Sequence, residues 1–287
     1  MLSRSKPAVT FTFKEITDEE REKIGIVKKL LTDNECTYDF KDIVLLRFIR
    51  GAKGEHEKAV PALIAHAAWR TEEKLEDLTP ADFESEAAAN KMVQFGRDRY
   101  NRPILVILCR NHVTKTRDLE KFRKFFLYLF ENLIRDTNPD QQQVTIVFDM
   151  LKFGTKHVDY DMVKMLSSIL QVNYPDVLGQ AYVCNAPTMF TAVWAVVKRF
   201  IDPVTASKMI MCSYKKLREY LDEDQILSDI GNKNATSSGT SSSSNQQETV
   251  EDETGTEDLP PPPDFSDISD LLQNVDINAD TVQSTSR

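Results

Sequence analysis

Glycine is scarce, nine residues in 287, and none of the nine builds a phosphate-cradling loop. Neither G-x-G-x-x-G nor G-x-x-x-x-G-K-S/T occurs, so the two standard glycine-rich nucleotide grips are absent. Histidine is scarcer still. His56, His66, His112 and His157 lie far apart without metal-ligand spacing, and His66 sits in an apolar helical stretch where simple packing is expected. No G-x-S-x-G nucleophile elbow appears. The four cysteines, Cys36, Cys109, Cys184 and Cys212, show no paired spacing, and Cys109 and Cys184 fall inside apolar runs as core thiols would. That usage predicts a reduced cytosolic protein without a zinc site. No apolar run reaches the ~20 residues a bilayer crossing needs. The opening MLSRSKPAVTF has no apolar core of its own, so no signal peptide is expected.

The net charge of −9 is unevenly placed. Residues 232–287 hold eleven carboxylates against Lys233 and Arg287, which leaves 34 charges of each sign on the rest. The remainder is neutral and offers no basic field for nucleic acid. Beyond Asn232 the sequence turns to Ser, Thr, Asn and acids, then Pro260 to Pro263. Such a stretch buries too little apolar surface to offset its ordering entropy, so 232–287 reads as a disordered acidic tail.

The body begins after a mobile arm, 1–16. Thr17-Asp18-Glu19-Glu20 is a capping box that opens a helix with Ile24, Val27, Leu30 and Leu31 at helical spacing. A second helix over 41–50 should bury Ile43, Val44, Leu46 and Ile49, and a third spans 55–74. Together they make a helical module, 17–76. The segment 77–231 alternates differently: a short helix over 81–90, a polar turn over 97–102, and a buried strand over 104–109. Then come a long helix over 117–136, a strand over 144–148, and a helix over 158–172 with Met162, Met165, Leu166 and Ile169 inward. Strand-helix alternation predicts an α/β sheet.

The stretch 171–212, QVNYPDVLGQAYVCNAPTMFTAVWAVVKRFIDPVTASKMIMC, is the unusual one. A short strand over 180–184 leads to a helix over 188–200 with almost no polar face before Lys198 and Arg199. A helix apolar all round is buried or meets a membrane, and a dozen residues cannot span one. Two readings stand: a core helix of the α/β domain, or a cover over an apolar pocket that touches lipid.

The run YPDVLGQAYVCNAP, the bulky helix after it and FIDPVTASKM resemble the centre of the CRAL-TRIO lipid-binding domain, in particular that of the yeast phosphatidylinositol/phosphatidylcholine transfer proteins. LLRFIRGAKGEHEKA, Arg102-Pro103 and Val147-Phe148-Asp149-Met150 match in the same order, so the resemblance covers about 28–230. It implies a helical module, a CRAL-TRIO α/β domain with a lipid pocket closed by a gate helix, and a disordered acidic tail. It implies phosphatidylinositol binding and transfer between membranes, or presentation to a lipid kinase, without catalysis. It also implies a monomer with no cofactor beyond its bound phospholipid, cytoplasmic and transiently peripheral on membranes. A sterol, tocopherol or retinoid-like ligand is the alternative within the family; an α/β enzyme using Asp149 is the alternative outside it.

Carried over by motif, the inositol headgroup site is Asp176, Thr205 and Lys208. Lys53 stands in because Ala52 occupies the place of the family's arginine. The family's phosphatidylcholine hydroxyls fall at Val144 and Ile146, so no such site is expected. The gate and membrane contact is Met189, Phe190, Val193, Trp194, Val197 and Phe200, with Phe190 and Trp194 touching lipid. Two acyl chains carry some thirty methylenes at ~0.8 kcal/mol each, so an enclosed apolar cavity is expected beneath the gate. In the tail, Asp264, Phe265, Asp267 and Asp270, preceded by acids, resemble the short motif that docks lipid-transfer proteins on the endoplasmic-reticulum receptor VAP.

Overall fold

The computed structural model describes residues 16–139, 142–228, 230 and 259–261. Helix α1 (Asp18–Asp33) starts where the capping box places it. The Thr17 amide donates to Glu20 Oε2 at 3.1 Å, and the Glu20 amide donates to Thr17 Oγ1 at 3.2 Å. Helices α2 (Asp42–Gly51) and α3 (His56–Glu73) complete a three-helix module around Val27, Leu46 and Leu63. In α2 the expected Ile43, Leu46 and Ile49 are buried, whereas Val44 is only half-buried and Leu45 is buried as well. The short α4 (Glu84–Ala88) follows.

Five strands form one sheet in the order of the chain: β1 (Met92–Arg97), β2 (Pro103–Leu108), β3 (Val144–Asp149), β4 (Leu178–Cys184) and β5 (Met209–Cys212). β1 runs antiparallel to β2 and the other neighbours are parallel. Sequence reading missed β1 and treated its end as part of a polar turn. Its alternation is broken at Gly96, which adopts φ +72° where the ladder shifts register. A Cβ there would meet the Gln225 carbonyl oxygen at 2.8 Å, so glycine lets the C-terminal segment close on this edge. β5 was missed too, since four half-covered residues carry little pattern.

Helices α5 (Leu119–Arg135) and α6 (Tyr160–Asn173) lie on one face of the sheet, over Leu105, Ile107, Ile146 and Ala181. The other face carries Ile104, Val106, Val147 and Tyr182, covered by Leu217, Leu221 and Ile226 after α9 (Tyr214–Leu217). Strands covered on both faces read as unbroken apolar runs, as β2 (PILVIL) does. Between β4 and β5 the chain leaves the sheet to make α7 (Phe190–Val197) and α8 (Pro203–Ser207). α7 is shorter than the expected 188–200, with turns at both ends; Asp202-Pro203 then starts α8, the Asp202 side chain accepting from the amides of Val204 and Thr205.

Candidate functional site

Lys208 follows α8 and directly precedes β5. Its ammonium donates to Asp176 Oδ1 at 3.0 Å and to the Leu178 carbonyl at 2.7 Å. The Lys208 side chain is 12% exposed and that of Asp176 32%. Asp176 sits at φ +55° in the turn between α6 and β4, which turns its carboxylate toward the start of β5. Backbone contacts fix the pair. The Lys208 carbonyl accepts from the Ala181 amide at 3.0 Å and from the Gln180 side chain, tying it to β4. The Asp176 carbonyl accepts from Gln143 Nε2 at 3.4 Å.

A second cation stands within electrostatic reach. Arg47, on α2, is buried and donates to the Gln142 carbonyl. Burial pulls its basicity down to about 10, against the opposing attraction of Asp176. Beside Arg47 and Asp176 the side-chain oxygens of Gln142 and Gln143 are buried acceptors without a hydrogen-bond partner among the described residues. Sequence reading missed Arg47, although a lone cation inside IVLLRFI is a signal of its own.

The other expected headgroup residues fall differently. Thr205 is half-buried in α8, one turn before Lys208, whose amide bonds its carbonyl at 3.0 Å. Lys53 is exposed at φ +55° and lines a hollow of about 310 Å³ with Lys23, Glu20 and Arg50, on the α1–α2 side. None of the contacts described here joins it to Lys208.

The gate stretch has an inner and an outer side. Met189, Val193, Val197 and Phe200 are buried, while Thr191, Ala192, Ala195, Lys198 and Arg199 are exposed. Of the six gate residues, Phe190 and Trp194, the two expected to touch lipid, are half-exposed, their rings stacked 6.3 Å apart. The inner stripe packs on Val158 and Tyr160 at the start of α6, joined by Phe153 and by Leu259 from the tail. At its far end Gln171 Nε2, on α6, donates to the Phe200 carbonyl at 2.7 Å. The gate therefore lies closed along α6.

Two hollows bounded by described residues, about 320 Å³ beside Glu73 and Phe83 and about 310 Å³ beside Lys53, lie away from the gate. The gate borders a half-open apolar wall. Met162, Met165, Leu166 and Ile169 on α6 face the sheet but are only half-buried. Met209 is half-buried on the same face of the sheet, and Met211, two residues along the strand, is 42% exposed.

Asp149 is fully buried at the end of β3. Arg110 Nη1 holds it at 2.5 Å, the Asn185 side-chain amide donates at 3.2 Å, and the Leu151 amide caps it. No helix among the described residues is long and apolar enough to cross a membrane, and no group of three His, Cys, Asp or Glu among them is placed to hold a metal. Asp264, Phe265, Asp267 and Asp270 lie outside the described residues.

The CRAL/TRIO domain pattern matches residues 88–231. A CRAL-TRIO domain-containing protein of Schizosaccharomyces pombe is 30% identical over 206 residues, which is 68% of this chain and 46% of that protein. The phosphatidylinositol transfer protein CSR1 of Eremothecium gossypii is 28% identical, over 68% of this chain and 48% of that protein. The chain thus spans about half the length of these relatives. The crystal structure of Sfh5 superposes with a TM-score of 0.62 at 21% identity, covering 71% of this chain and 84% of that one, which is a likeness of fold. With its domain pattern over half the chain, the chain belongs to the CRAL/TRIO domain family.

Proposed function

We propose that this chain binds phosphatidylinositol and exchanges it between membranes, or presents it to a lipid kinase, without catalysing a reaction. What carries the reading is the Lys208–Asp176 pair, at 3.0 Å, beside the half-open wall of α6 and β5. An ammonium has three protons; Asp176 and Leu178 take two, and the third is left for a phosphodiester oxygen. Arg47 adds a second buried cation within electrostatic reach of Asp176, which suits an anionic phosphodiester. The amide oxygens of Gln142 and Gln143, unpartnered among the described residues, supply with Asp176 acceptors for inositol hydroxyls. Val144 and Ile146 are buried and apolar, and offer a choline phosphate no hydroxyl.

Acyl chains are taken up when α7 swings off α6. Met189, Val193 and Val197 then exchange contacts with Val158 and Tyr160 for contacts with lipid, so little apolar surface meets water at any stage. Half-exposed Phe190 and Trp194 make first contact with the bilayer, and exposed Lys198 and Arg199 favour anionic headgroups. The non-catalytic reading agrees with Asp149, whose carboxylate is sealed from solvent and neutralised by Arg110. The test is native mass spectrometry after incubation with liposomes of mixed phospholipids and sterol. A bound mass equal to phosphatidylinositol is expected; a sterol, or no retained lipid, would remove the assignment.

A further inference from the structure

Cys184 and Cys212 end two neighbouring parallel strands and stand opposite each other in register. Their sulfurs lie 3.3 Å apart, and both are free thiols. Neighbouring strands run about 4.8 Å apart, inside the ~4.4–6.8 Å Cα span that a disulfide bridges. The backbone is fixed on both sides: the Cys184 carbonyl accepts from the Met150 amide at 2.9 Å and the Cys212 carbonyl from the Asn185 amide at 3.1 Å. Closing the bond therefore asks for side-chain rotation only.

The two thiols differ in access and acidity. Cys184 has no exposed surface, while Cys212 is half-buried. The hydrogen bond from Cys184, then the Lys216 ammonium, hold Cys212 below the ordinary thiol range against its burial. The same contact and burial push Cys184 up. Cys212 is thus the reachable nucleophile, and Cys184 is the resolving thiol already in place behind it.

We propose that Cys212 and Cys184 form a reversible two-electron thiol switch, oxidised by a hydroperoxide to a disulfide that staples edge strand β5 to β4. The Cys212 thiolate attacks the peroxide oxygen and forms an S–O bond. The O–O bond breaks, and the departing oxygen takes a proton and leaves as water or an alcohol. The sulfenic acid on Cys212 is then attacked by the Cys184 sulfur: an S–S bond forms, the S–O bond breaks, and the Cys184 proton leaves with the hydroxide as water. Two thiols lose two electrons and two protons, and the peroxide gains them. A dithiol reverses the bond.

The position gives the bond a consequence. All of α7, α8 and Lys208 lie on the excursion between the two cysteines. A bond at its base ties both ends of that excursion together. This consequence rests on the gate reading above, whereas formation of the bond does not.

The experiment treats the full chain with hydrogen peroxide, blocks free thiols with iodoacetamide, and maps peptides without reduction. A linked pair of peptides containing Cys184 and Cys212 is expected, lost on dithiothreitol and unaffected by combined Cys36→Ser and Cys109→Ser. Cys184→Ser should leave a dimedone-reactive Cys212, and Cys212→Ser should leave none. Amide exchange over Met209–Cys212 should slow about tenfold in the oxidised protein. Full alkylation of both thiols after peroxide, or conversion of Cys212 to sulfinic acid with no linked peptide, would overturn the switch. A linked peptide with unchanged exchange would overturn the staple. None of these readouts involves lipid, so each is separate from the fate of the phosphatidylinositol assignment.

Discussion

Lys208 and Asp176 meet at 3.0 Å although the whole of β4 and the gate excursion separate them in the chain. The contact closes because β5 pairs with β4 and brings its first residue back beside the turn that precedes β4. Replacing Lys208 with Ala removes the cation and its donors but little packing. A charge-assisted hydrogen bond is worth about 1.5–3 kcal/mol, so phosphatidylinositol transfer between liposomes should fall about ten- to a hundredfold. The thermal midpoint should hardly move, because Asp176 is partly exposed and water replaces its partner. Transfer at the wild-type rate in a folded Lys208→Ala protein would remove this lysine from the headgroup site.

The start of β4 makes a second demand. The Arg102 guanidinium lies against Gly179, where a Cβ would fall 2.2 Å from Nη1. Arg102 is buried in an ion pair with Asp98 at 2.6 Å, and Asp98 also accepts from Thr145 Oγ1 at 2.7 Å. Gly179→Ala therefore forces a buried cation off its partner. The expected loss is about 3–5 kcal/mol in urea unfolding, the range for breaking a buried pair. A loss below about 1 kcal/mol would mean that the guanidinium has room to move.

Acid should loosen the join between the helical module and the α/β part. His66 on α3 is buried, pairs with Asn173 Oδ1 at 3.0 Å and stacks between Phe40 and Trp69. Burial, only partly offset by the Asn173 hydrogen bond, holds its imidazole below the ordinary value of 6.5. The folded form stays neutral while the unfolded chain takes up a proton near pH 6.5, so this contribution to stability is present above that pH and declines as the pH falls below it. His66→Gln should flatten the fall in thermal midpoint between pH 7 and pH 5. An unchanged slope would place the acid sensitivity elsewhere, with His157, also lowered by burial, as the next group to test.

How much could be read beforehand follows from where the information lies. The capping box at Thr17 and the apolar run of β2 are local, and both appear where the sequence put them. The Asp176–Lys208 pair has no local signal; only the resemblance of YPDV and DPVTASK to a known family pointed at it. Cys184 and Cys212 looked unrelated because parallel strands join residues across a crossover, and no spacing rule records that. β1 was lost at Gly96, where the register shift and positive φ break the strand alternation. The enclosed cavity was inferred from what a lipid needs, and no local pattern records it. Sequence shows that α7 is apolar; it does not show that its Met189, Val193 and Val197 side rests on Val158 and Tyr160.

That packing separates two sets of gate residues. Phe190 and Trp194 are half-exposed, so Phe190→Asp with Trp194→Asp should cost little stability while opposing insertion into lipid. Liposome transfer should fall at least about tenfold with a nearly unchanged thermal midpoint, since an aspartate at the bilayer interior costs ~2.5–3.5 kcal/mol. Val193→Asp acts by another route. Val193 is 3% exposed, and an unpaired carboxylate there must be desolvated against Val158 and Tyr160. The closed gate should then spring open, with faster amide exchange over α7 before any lipid is added. If the double variant transferred lipid normally while Val193→Asp did not, the buried stripe would be the part of α7 that matters, and the outer aromatics would be only its cover.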